Sequence, residues 1–178
     1  TNITQTVNQT SGLSITAFHG HNDGVIFPHN LGGTPALVII KVRTATYSWF
    51  VWMPQLTADT AMRLDMSNAA YSNPNQFNPD PSSTLISTGS DDGAGGGTSG
   101  GGNYMCYAWK AVAGVSAFGS YTGNGGAGAG TNTITYTGSN TVTASWIMVK
   151  RFSDDGENWV ILDKFRDGVG EFTSGLYA

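Results

Sequence analysis

Side chains able to do chemistry are sparse in this 178-residue chain. There are three histidines, twelve acidic residues of which only Glu157 and Glu171 are glutamates, and one thiol, Cys106. His19, His21 and His29 lie close enough in sequence to suggest a metal cluster. A zinc site, however, needs a closed ligand set with Cys or a fourth ligand in place. These three sit in Gly/Asn-rich turns without one, so turn chemistry is the preferred reading and no metal is expected. Asp91-Asp92-Gly93 and Asp154-Asp155-Gly156-Glu157 each cluster the oxygens that a hard cation takes. Neither has the full spacing of a calcium loop, and plain turn formation is again preferred, with calcium left open. Glycoside cleavage needs two carboxylates at a fixed separation across a cleft, and nothing marks such a pair. There is no Gly-x-Ser-x-Gly elbow, and Cys106 has no base beside it. Its setting, Tyr104-Met105-Cys106-Tyr107-Ala108-Trp109, reads as a buried, inert thiol.

Two glycine-rich runs invite a nucleotide reading and fail it. Gly123-Asn124-Gly125-Gly126-Ala127-Gly128 is followed by Thr, Asn and Ile where a dinucleotide loop needs a helix. The run from Asp91 to Gly102 lacks the Lys-Ser/Thr ending of a phosphate loop; it reads as an exposed, mobile loop. The expectation is therefore a protein that is not an enzyme, with no catalytic residue and no cofactor. The aromatics are the remaining candidates. Trp49, Trp109, Trp146 and Trp159 fall in apolar strands and read as core. Trp52 precedes Met53-Pro54 at a strand end. With Tyr47 and Tyr71, it is the candidate surface for a glycan or protein partner, because sugar rings stack on exposed aromatic faces.

The elements that must position these residues are strands. Thr, Val, Ile, Tyr, Phe and Trp are plentiful, whereas strong helix formers are scattered. Gly is abundant at 25 residues, and charge is scarce at 11% of the chain. Ala36–Val42 resembles Ser145–Arg151, and each run is followed by a polar turn and a Trp-centred strand, Ser48–Trp52 and Asn158–Leu162. Upstream, Gly12–Gly20 resembles Gly114–Gly123; downstream, Arg63-Leu64-Asp65 pairs with Gly175-Leu176-Tyr177. The offset of roughly 110 residues is too long for a solenoid period and fits a duplicated unit. The Asp-Gly turn at 155–156 predicts a hairpin between Trp146–Phe152 and Trp159–Asp163. Phe50 and Trp52 lie opposite Trp49 and Val51, so that strand is expected to be covered on both sides. Pro28–Pro35 reads as a turn, Ser83–Thr88 and Asn103–Val112 as strands, and Thr57–Arg63 as a short helix with Thr57 as its N-cap. The segment 71–81, with its prolines, fits neither a helix nor a central strand. The whole reads as one all-β domain over 1–178, an antiparallel β-sandwich of jelly-roll or concanavalin-like type. Two related units, about 12–70 and 114–178, are joined by a Pro/Gly-rich segment and strands within 83–112.

The formal net charge of −4 and the absence of a basic patch argue against nucleic acid. No apolar run is long enough for membrane insertion by a spanning helix. The first residues lack the basic and apolar regions of a secretory leader, and the missing initial Met suggests processing or a stretch of a longer polypeptide.

Gly12-Leu13-Ser14-Ile15, His29-Asn30-Leu31-Gly32 with Pro35, and Val38-Ile39-Ile40-Lys41 before a Trp strand resemble a repeat of phage and marine-virus structural proteins of tail-fibre-like type. Tyr104–Trp109 and Phe118–Gly125 extend the likeness over nearly the whole chain. The resemblance implies a virion structural or adhesive module, in a tail fibre or capsid decoration, that contacts other virion proteins or a host-surface glycan. It also implies a homo-oligomer, by analogy a trimer, and carries no catalytic residue. A lectin-like carbohydrate-binding domain and a glycan depolymerase are the alternatives.

Overall fold

A computed structural model describes residues 2–97, 101–123, 142–165 and 175–177. The second glycine run from 124 to 130, residues 139–141 and Glu171 lie outside the described residues. The chain is all-β, an antiparallel β-sandwich, and its described residues contain no helix. Twelve strands follow in order: β1 Ile3–Asn8, β2 Leu13–His19, β3 Ile26–Pro28, β4 Leu37–Val42, β5 Phe50–Trp52, β6 Thr60–Arg63, β7 Tyr71–Ser72, β8 Leu85–Ser87, β9 Asn103–Trp109, β10 Trp146–Val149, β11 Val160–Asp163 and β12 Gly175–Tyr177.

Seven strands form the main sheet in the order β1-β2-β9-β4-β5-β6-β7. The late strand β9 inserts between β2 and β4 in antiparallel pairing with both. β4 explains the layering. Its Leu-Val-Ile-Ile run is buried throughout, and alternation sends Val38, Ile40 and Val42 to one face and Leu37 and Ile39 to the other. The first face packs with Phe18, Phe50, Trp52, Tyr104 and Cys106 of the sheet and with Phe27 and Ile86 of the β3–β8 ribbon. The second face joins Val51 and Met62 to Met148 of β10 and to Phe152 and Trp159 in the segment between β10 and β11. A strand so placed must be apolar on both sides, as β4 and β5 are.

Trp159 anchors the third layer. It is 2% exposed, and its indole N–H donates to the Arg63 carbonyl at 2.8 Å. The loop beyond β10 is tied down as well. Gly156 N–H donates to Ser67 O at 3.1 Å, Ala69 N–H to Asp155 Oδ1 at 2.7 Å, and Lys150 Nζ to Ser67 O at 3.0 Å. The Asp154–Glu157 turn thus holds two segments together.

The two hairpins share one register. Val38↔Trp52, Ile39↔Val51 and Ile40↔Phe50 in the first correspond to Ile147↔Leu162, Met148↔Ile161 and Val149↔Val160 in the second. The third strands follow suit, with Phe50↔Arg63 matching Val160↔Tyr177. Tyr177, not Gly175, therefore occupies the place of Arg63. The strand-ending lysines repeat too: Lys41 Nζ donates to the Tyr47 carbonyl and Lys150 Nζ to the Glu157 carbonyl, each acceptor two residues before the Trp. The upstream segments differ, because β2 is a seven-residue strand whereas Val112 and Ser116 close a tight turn with no strand after it through Gly123.

Three expectations are corrected. Thr57–Arg63 is a turn and strand β6: Thr60 donates to the Thr57 carbonyl, Asp59 takes φ 59°, and Ala61 and Met62 are buried on opposite faces. Sheet pairing with β5 outweighs local helix propensity there. The first glycine run is packed, not exposed, over Gly93–Gly96. A Cβ on Gly96 would stand 2.2 Å from the Ser90 carbonyl oxygen, so glycine is required by close backbone approach. Trp146 opens β10 with 54% of its surface exposed and is not core.

His29 belongs to its turn. It is fully buried, with Nδ1 accepting from Leu31 N–H and Nε2 facing the Ser82 carbonyl at 3.2 Å, while Asn30 takes φ 54°. Burial pulls its pKa below 6.5, against a smaller opposing pull from the Ser82 carbonyl. The unfolded chain then takes a proton that the folded one resists. Stability is expected to be full above pH 6.5 and to decline as pH falls below it. In urea titrations, His29→Gln should lower stability but flatten that decline; an unchanged slope would contradict the assignment.

Candidate partner-binding surface

The second face of the main sheet leaves an aromatic row beside the docked layer. β9 alternates, burying Tyr104, Cys106 and Ala108 on the first face and leaving Met105, Tyr107 and Trp109 half-buried on the second. Trp49, just before β5, stacks on Tyr107 at 6.4 Å, and Tyr107 on Trp109 at 6.2 Å. Lys41 Nζ lies 5.9 Å from the Trp49 ring centroid. Together with Val42, Arg43, Ala45 and Met105, Lys41, Trp49 and Tyr107 line a shallow groove of about 390 Å³. The Arg43 side chain is exposed beside it. A surface with aromatic carbon, one held cation at Lys41 and one exposed cation at Arg43 suits a ligand that has an apolar face and an anionic group.

The loop that carries Trp49 is held from several sides. Lys41 Nζ binds the Tyr47 carbonyl, Trp49 N–H donates to Asp65 Oδ1 at 3.2 Å, and the Tyr47 hydroxyl donates to Asp92 Oδ2 at 3.2 Å. The Asp92 carboxylate holds the Tyr47 phenol above its ordinary range. Asp91 folds the next turn: Oδ1 accepts from Gly93 N–H, Oδ2 from the Asn73 amide, and its carbonyl from Ala94, Gly95 and Gly96 N–H. The Tyr104 hydroxyl reaches the carbonyls of Asp92 and Gly96, and burial with the nearby Asp pair pushes its pKa up to about 12.

Of the three aromatics expected at a surface, only Tyr47 is well exposed, at 44%. Its backbone carbonyl accepts from Lys41 Nζ, and its ring reaches away to Asp92. Trp52 is 4% exposed and donates its indole N–H to Asp80 Oδ1 at 3.1 Å, so it offers no open ring face. Tyr71 is half-buried; the Arg63 guanidinium lies 4.4 Å from its ring centroid, and its hydroxyl accepts from Gln76 Nε2 at 2.6 Å. Trp49 and Trp109, expected in the core from their apolar neighbours, are half-buried on this face, as is Tyr107. The available signal was the alternation in β9, where small Cys106 and Ala108 interleave with Tyr107 and Trp109.

His19 ends β2 with its Nδ1 facing the Gly20 carbonyl, and His21 pairs with Asp23 in the turn that follows. Among the described residues, no group of three His, Cys, Asp or Glu side chains is arranged to hold a metal. Burial pushes the Cys106 thiol far up, so it stays protonated.

Lys41→Met and Lys150→Met are each expected to cost about 1–3 kcal/mol, because each removes a charge-assisted bond to a turn carbonyl. Chemical denaturation checks this, and a loss at only one site would break the equivalence of the two turns.

Comparison with curated proteins and with solved structures found no match. One family covers residues 1–178, the full length of the chain. The chain belongs to the family described as Domain of unknown function (DUF7483).

Proposed function

We propose that the chain is a non-enzymatic structural and adhesive module of a bacteriophage virion, in a tail fibre or a capsid decoration, and that the groove beside Trp49 contacts a host-surface glycan carrying a carboxylate. The observation that carries this reading is the Trp49–Tyr107–Trp109 row flanked by Lys41 and Arg43. Aromatic carbon and a fixed cation together recognise an acidic sugar without chemistry on it. The virion setting rests on the resemblance of the strand and turn motifs to tail-fibre-like repeats.

The carboxylates support the non-enzymatic half. Asp65, Asp80, Asp91, Asp155 and Asp163 each accept from a loop N–H or a core indole, and so act as clamps for the fold. The shared register and the paired lysines support a further part of the proposal, that β4-β5-β6 and β10-β11-β12 are two copies of one unit within a single domain.

A glycan array probed with the full chain should bind glycans bearing carboxylates and pass over their neutral counterparts. Arg43→Ala, a change at an exposed side chain, should weaken binding about tenfold or more, the scale of one charge-assisted hydrogen bond. Absence of binding, with electron density placing the chain in a capsid lattice, would remove the adhesive role. Polysaccharide cleavage abolished by one Asp→Asn change would overturn the non-enzymatic reading.

A further inference from the structure

The two edges of the main sheet are treated differently. β7 ends it with two residues, Tyr71–Ser72, which offer almost nothing to pair with. β1 ends it with six, Ile3–Asn8, in unbroken register with β2. That strand carries no charge, no proline and no bulge, the devices by which exposed edges avoid pairing with another chain. Among the described residues, its backbone has no backbone partner other than β2. Ile3 stands 40% exposed on it.

The sequence of this edge reads the same in both directions: Asn2-Ile3-Thr4-Gln5-Thr6-Val7-Asn8, with Ile and Val exchanging places. We propose that β1 is a self-complementary edge that pairs antiparallel with β1 of a second copy about a two-fold axis at Gln5, joining two main sheets into one. A two-fold axis normal to the sheet keeps each face on its own side. Ile3, Gln5 and Val7 share the face of Phe18, Thr16 and Ser14, so Ile3 of one copy meets Val7 of the other and Gln5 meets itself. Thr4 and Thr6, both exposed, share the opposite face and meet each other. Ile–Val and Thr–Thr are favourable cross-strand neighbours, and no pair sets like charges together. The occupant follows from that symmetry, since the strand's best complement is its own sequence. This surface lies on a different strand from the Trp49 groove, so each can fail without the other. The two-fold axis differs from the threefold that the resemblance to tail-fibre proteins implies.

Light scattering of the full chain tests the pairing. The wild type should have twice the single-chain mass of 18.7 kDa. Thr4→Lys/Thr6→Lys sets lysines opposite lysines and should give single chains with an unchanged circular dichroism spectrum. An equimolar mixture with Thr4→Glu/Thr6→Glu should restore the two-chain mass. A wild type that is single or trimeric at all concentrations, or a double-lysine variant that stays paired, would overturn the proposal. The wild-type mass decides the first point without any variant.

Discussion

The structure depends on β4 being buried on both faces. Leu37, Val38, Ile39 and Ile40 leave neither side free for water, so each side must be covered by something else in the chain. One cover is the β3–β8 ribbon, which brings Phe27 and Ile86 onto Val38 and Ile40. The other is the β10-β11-β12 sheet, which brings Trp159 and Met148 onto Leu37 and Ile39. A single six-residue strand thus sets the order of the layers.

The polar features of the chain serve this arrangement. Loops that reach across layers carry backbone groups that must be paired when buried. In a chain poor in charge, short side chains do that work: Asp91 and Asp155 accept from backbone N–H groups, and His29 bonds on both sides of its ring. The packed glycines at 93–96 let the chain turn tightly against Thr88 and Ser90, beneath the Tyr104 hydroxyl. The surfaces proposed for partners are the half-buried aromatic row beside the docked sheet and the β1 edge.

Much of the scaffold was legible in the sequence because it is written in apolar strands of defined length. The runs at 36–42 and 145–151, each followed by a Trp strand, fixed both hairpins, and the double-sided apolarity of Phe50–Trp52 announced a covered strand. The misses share a physical cause, in that tertiary neighbours decided them. Gly93–Gly96 has the composition of a linker and becomes packed only because Phe50, Thr88 and Ser90 lie against it. Ala61 and Met62 suit a helix until β5 offers a sheet to pair with. Trp146 and Trp159 have similar local sequences, yet one is exposed and the other buried, because the β10–β11 hairpin presents one to solvent and the other to the main sheet. Tyr47 is exposed, whereas Trp52 turns inward to Asp80.

Native-state hydrogen exchange tests the central claim, that the layers form one cooperative body built on β4. The account predicts that amides of β4 and β9 are the slowest to exchange, and that those of β10 and β11 open with nearly the same free energy, because Trp159 and Met148 cannot leave without exposing Leu37 and Ile39. Rapid exchange in β10 and β11 while β4 remains protected would show that the third layer is not needed to cover it, and would contradict the account.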